Sequence, residues 1–128
     1  MRGYLPTSGI EVSQIFNSRT LDVEEIYAPT KSFIASNSDS DEEEIEFILS
    51  LLAAEDAQEM REPGTGVACV LAFEIPAELI AAEDESSVQL SAPLTWAMVQ
   101  CLFEISDDGE ELTWFATQEI PENLANWL

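Results

Sequence analysis

The stretch DEEEIEFILSLLAAEDAQEMR, Asp41 to Arg61, decides the fold. Its apolar residues recur at Ile45, Ile48, Leu49 and Leu52, with Met60 after a gap and Phe47 and Leu51 flanking. That spacing is the period of a helix with one buried face. Ala53, Ala54 and Ala57 favour helix and let a neighbour approach closely. Ser40, with Glu43 three residues on, reads as a capping box. Asp41, Glu42, Glu43 and Glu44 then sit at the positive end of the helix dipole, and Arg61 suits the negative end. Glu62-Pro63-Gly64 stops the helix, because the residue before a proline is pushed out of the helical region. The rest of the chain is expected to pack against this one long helix.

Outward toward the N-terminus, Ser36 to Ser40 reads as a polar loop. Thr30 caps a short helical segment, Lys31 to Ala35. Ile26-Tyr27-Ala28 reads as a short strand, Arg19 to Glu25 as a connection, and Gly9 to Asn17 as a helix capped by Thr7 or Ser8. Arg2 to Leu5 reads as a strand that Pro6 ends. Toward the C-terminus, Gly64-Thr65-Gly66 is a turn. Val67 to Ile75 is the strongest strand, apolar almost throughout, which predicts a central position covered on at least one face by the long helix. Pro76 to Ala82 reads as a helical turn, Glu83 to Ser87 as loop, and Val88-Gln89-Leu90 as a half-buried strand. Val99 to Ile105 and Glu111 to Ala116 read as a hairpin closed by the Asp108-Gly109 turn. Thr117 caps a last short helix through Trp127. The expectation is one domain over residues 1–128, an α+β fold with a small mixed or antiparallel sheet packed against the long helix and shorter helices on one face.

Composition narrows the function classes. Of 128 residues, 26 are acidic and 4 basic, with no histidine, for a net charge of −22. The acids are spread along the chain, and Arg2, Arg19, Lys31 and Arg61 are the only bases. Such a field repels nucleic acid and anionic lipid, so direct nucleic-acid or membrane binding is not expected, and a basic protein partner is. Without histidine the usual acid–base group and metal ligand near neutral pH are missing. Asp39, Asp41 and Glu43 alternate like calcium ligands, but Glu44 and Ser50 stand where an EF-hand loop needs glycine and glutamate. No metal or cofactor is expected. Cys69 and Cys101, each within an apolar run, read as buried free thiols of a cytoplasmic protein.

Several segments, taken together, resemble a family of small, uncharacterised actinobacterial proteins, a domain of unknown function. They are MRGYLPT at the start, YAPTKSF followed by DEEEIEFILSLLAAEDA, VACVLAFEIP, VQLSAPLTWAMVQCLFEI, and ELTWFATQEIP. Members usually carry an arginine-rich stretch before the central strand, where this chain has REPGTG with Arg61 alone. The resemblance implies an acidic cytoplasmic protein and brings no catalytic residue with it.

The functional expectation is a non-catalytic protein-interaction or regulatory domain that docks on a basic partner, with nucleic-acid mimicry as a special case. The interaction candidates are Asp39, Asp41, Glu42 and Glu43 at the helix start, and Trp96 and Trp127, since an aromatic at an acidic surface anchors a partner. Trp114 is assigned to packing. The alternative is a hydrolase-like enzyme using a carboxylate pair. Glu74, Glu104 and Glu119, which follow or interrupt apolar runs, are its partly buried acid candidates.

Overall fold

The computed structural model describes residues 1–128. Strand β1 (Arg2–Ser8) leads into helix α1 (Gly9–Ser18), whose first turn is capped by the Ser8 hydroxyl accepting the Glu11 N–H. Two short strands follow, β2 (Thr20–Leu21) and β3 (Glu25–Tyr27), then helix α2 (Lys31–Ser36) and the long helix α3 (Glu42–Glu59). Next come β4 (Ala68–Glu74), β5 (Ile80–Glu83), β6 (Ser87–Leu90), β7 (Leu94–Thr95), β8 (Val99–Ile105) and β9 (Leu112–Ala116). A short helix α4 (Ile120–Asn123) and a 3-10 turn, Leu124–Trp127, complete the chain.

Seven strands form one antiparallel sheet in the order β5-β6-β3-β1-β4-β8-β9, and β2 pairs with β7 beside it. β1 and β4 are its spine, paired from Arg2↔Glu74 to Ser8↔Ala68. The alternation of side chains along β4 explains its apolar run. Ala68, Val70 and Ala72 join the core under α3, with Tyr4, Leu49, Ala53 and Cys101. Cys69, Leu71 and Phe73 join a second core under α1 and the C-terminal turns, with Val12, Ile15, Ile120 and Trp127. The sheet is therefore covered on both faces. The expectation of helices on one face is corrected here, for a strand apolar on both sides needs cover on both.

Four local expectations are also corrected. Asp41, not Ser40, caps α3, its carboxylate accepting the Glu44 N–H at 2.8 Å, because Ser40 closes the preceding turn through its own N–H to Asn37 O. The face of α3 laid on the sheet is Ile45, Leu49, Ser50, Ala53, Ala54 and Ala57. Alanines bring the helix axis close to the sheet, so bulkier residues are left at the rim, with Phe47 59 % and Leu51 40 % exposed. Pro6 does not end β1. It sits where β1 has lost its neighbour on the β3 side, since pairing there is confined to Tyr4↔Tyr27, and a proline costs a sheet nothing where no ladder bond is due. Lastly, the segment after Pro76 makes only a brief 3-10 turn, Ala77–Leu79, before running out as the edge strand β5.

Candidate functional site

The residues singled out in the sequence go to different places. Asp39, Asp41, Glu42 and Glu43 are exposed around the start of α3, where Asp41 is occupied as the cap. Trp96 is half-buried and stands edge-on to Phe16 at 5.1 Å, while the Arg19 guanidinium lies 4.3 Å from the Phe16 ring centroid. Trp127 is 1 % exposed and packs edge-on to Phe115, so it is a core residue and not a partner contact. Its backbone is admitted by two glycines: a Cβ on Gly9 or Gly66 would stand 2.0 or 2.1 Å from the Trp127 carbonyl oxygen. Trp114, assigned to packing, is the tryptophan at the surface, 57 % exposed.

Of the three acids expected to be partly buried, Glu74 and Glu119 are engaged by other groups. The Glu74 side chain is 60 % exposed and pairs with the N-terminal amine at 3.3 Å, which corrects the expectation that it is partly buried. A strand-end position at the sheet rim leaves it in solvent. Glu104 is half-buried on β8 opposite Cys69, whose thiol is pushed up to about 12 by burial and, less, by the Glu104 charge. Glu119 is half-buried and its carboxylate accepts the Ala116 N–H at 2.8 Å, fixing the end of β9.

The concave feature built from acids lies elsewhere, in the gap that Pro6 marks between β1 and β3. It is a cleft of about 590 Å³ with Glu11, Asp22, Glu25 and Asp56 in its wall and no basic side chain among its lining residues. Three of these carboxylates are held by hydroxyl donors. Thr7 donates to Glu11 at 3.0 Å, Tyr27 makes a short hydrogen bond to Asp56, and Ser87 one to Glu25. The register explains the convergence. Glu25 and Tyr27 are two apart on β3 and so share a face, Tyr27 stands opposite Ser87 of β6, and Asp56 projects from α3 toward them.

A hydroxyl that donates to a carboxylate stabilises its charged form and fixes one oxygen as an acceptor. The Tyr27 phenol is pushed up to about 12, by burial first and then by its bond to Asp56. It therefore stays protonated through the physiological range as the donor that orients Asp56. A concave site with four carboxylates and no cation of its own favours a cationic group, such as an ammonium or guanidinium. No three carboxylate or thiol groups converge closely enough to hold a metal ion.

Sequence reasoning missed this cleft because its members are distant in the chain, Tyr27 from Asp56 and Glu25 from Ser87. One local signal was present. A proline inside a strand that continues beyond it implies a missing neighbour on one side.

No helix is long and apolar enough to cross a membrane. No curated protein and no solved structure matches the chain. A family model matches residues 1–110, ending just before β9, and on that match the chain belongs to a family of unknown function, DUF6912.

Proposed function

We propose that this is a non-catalytic docking domain of the actinobacterial cytoplasm that binds a basic protein partner, with the acid-lined cleft receiving a cationic side chain of that partner. The observation that carries this reading is the cleft itself: four carboxylates, three of them braced by hydroxyls, with no cation among the lining residues. The wider surface supports it. A net charge of −22 is met by two ion pairs, Met1 amine to Glu74 and Arg61 to Asp107. Such a field speeds encounter with a positive surface and makes binding salt-sensitive. The two buried free thiols fit a reducing compartment. A partner that itself binds nucleic acid, and is displaced by it, would be the mimicry case.

The test is binding of an arginine-rich peptide at about 50 mM and about 500 mM salt, where the screening length shortens more than threefold. The expected result is binding at the lower salt that is weakened by the double variant Glu25→Gln/Asp56→Asn more than by a double neutralisation at Glu83 and Glu85, outside the cleft. Equal weakening by both pairs would mean that the charge acts diffusely and the cleft is no site.

A further inference from the structure

On the far side of α3 from the cleft, β9 is an open sheet edge with two unpaired residues. The Ala116 N–H is taken by Glu119, outside the ladder with β8, while Ser106 N donates to Glu111 O across that ladder. With no register break between β8 and β9, backbone direction alternates, so Leu112 and Trp114 point their N–H and C=O groups away from β8. The Trp114 ring lies on the α3 side, because it stands opposite Phe103, a member of that core's fringe. Phe47 and Leu51 lie on the same flank. They share an i, i+4, i+7, i+11 row with Ala54 and Gln58, and Gln58 donates to Asp107 O in the β8–β9 turn.

We propose that β9 takes an extended segment of a partner as an eighth strand, apolar at its centre and basic at both ends. The centre would rest on Trp114, Phe47 and Leu51. The ends are set by charge. Leu112–Ala116 carries no charged residue, but Glu110 and Glu111 precede it and Glu119 follows. A second copy fits worse. Paired antiparallel about Trp114, it would bring its Glu110 and Glu111 opposite the other copy's Gln118 and Thr117, next to Glu119, and two chains of charge −22 would meet. A basic-ended strand turns the same acids into attraction, and main-chain bonding supplies affinity while alternate side chains give selectivity. This inference rests on the docking reading and gives the partner a second point of attachment.

The test uses the full chain and a peptide of about nine residues, strand length, with lysines at both ends and alternating valine and threonine between. A glutamate-ended copy and an oligolysine serve as controls. The expected result is that the lysine-ended peptide slows amide exchange at Leu112 and Trp114 about tenfold or more, and the controls do not. Leu112→Pro should weaken this binding about tenfold, since it deletes an outward donor that β8 does not use. Trp114→Ser, which keeps the backbone donors, should weaken it through the lost contact. Binding of the lysine-ended peptide that perturbs only the cleft would overturn the β9 site and leave the docking reading standing. Failure of every lysine peptide to bind would overturn both. Sedimentation showing a dimer that protects the same two amides without peptide would assign the edge to a second copy and overturn the proposal.

Discussion

The two flanks of α3 use their residues in opposite ways. On the β3 flank the polar groups are spent on one another: Asp56 on Tyr27, Glu25 on Ser87, Glu11 on Thr7. On the β9 flank the apolar groups are unspent: Phe47 and Leu51 of α3 and Trp114 of the edge strand are in solvent. One helix thus separates a flank whose side chains hold the fold from a flank whose side chains add little to it. The lesson is that exposure of large apolar residues, more than the presence of acids, distinguishes one part of this uniformly acidic surface from another.

That contrast can be broken from the middle. Ala53 is fully buried between α3 and the sheet, so Ala53→Leu would lift the helix and disturb both flanks. The expected loss is about 1–3 kcal/mol by denaturant titration, with the m-value unchanged. On the braced flank, Asp56→Ala removes the acceptor of the Tyr27 hydroxyl, for a cost of about 1 kcal/mol. Ultraviolet titration should then show the phenol below its present value of about 12, part of that rise being due to Asp56.

Alkali offers a milder probe, on this flank through Tyr27 and in the opposite core through Cys69. Burial and Asp56 raise Tyr27 from 10.0 to about 12, and burial with Glu104 raises Cys69 from 9.0 to about 12. Both acids are held protonated by the fold, so their stabilisation is complete below the unfolded values and lost as pH climbs through the folded ones. Stability should decline from about pH 9 for the thiol and from about pH 10 for the phenol, toward pH 12. The Asp56→Ala variant should show a smaller phenol component. A decline of equal size in that variant would mean Asp56 does not brace Tyr27.

The smallest effect belongs to the open flank. Phe47→Ser and Leu51→Gln should each change stability by about 0.5 kcal/mol or less, as exposed positions do. A loss comparable to that of Ala53→Leu would show that these side chains pack on the sheet, and the contrast between the flanks would fail.

How much of this was legible in the sequence depends on the range of each interaction. α3, α1 and the β8–β9 hairpin announce themselves through apolar period and the Asp108-Gly109 turn, all local signals, although the cap of α3 is Asp41 and not Ser40. The continuous apolar run of β4 correctly marks a central strand, but not that its two faces carry different helices. The acid-lined cleft was out of reach, since two of its hydroxyl–carboxylate pairs join β3 to α3 and β3 to β6 across long stretches of chain, and the local Thr7–Glu11 pair does not by itself announce a cleft. The tryptophans were assigned the wrong way round for a similar reason. Trp114 lies in a regular apolar strand, which resembles core, yet that strand is the sheet edge. Trp127 lies in an irregular tail, which resembles surface, yet two glycines receive its backbone.

That last arrangement also leaves the two faces of the sheet closed by different parts of the chain. The core under α3 draws on residues from Tyr4 to Ile105. The opposite core is sealed by Trp127, whose carbonyl accepts the Val67 N–H at 2.8 Å at the point where β4 begins. The face under α3 can therefore stay packed when the last turns loosen, whereas the opposite face, which α1 covers only in part, loses its seal beside Phe115, and it is there that local opening would first admit proteolysis and aggregation.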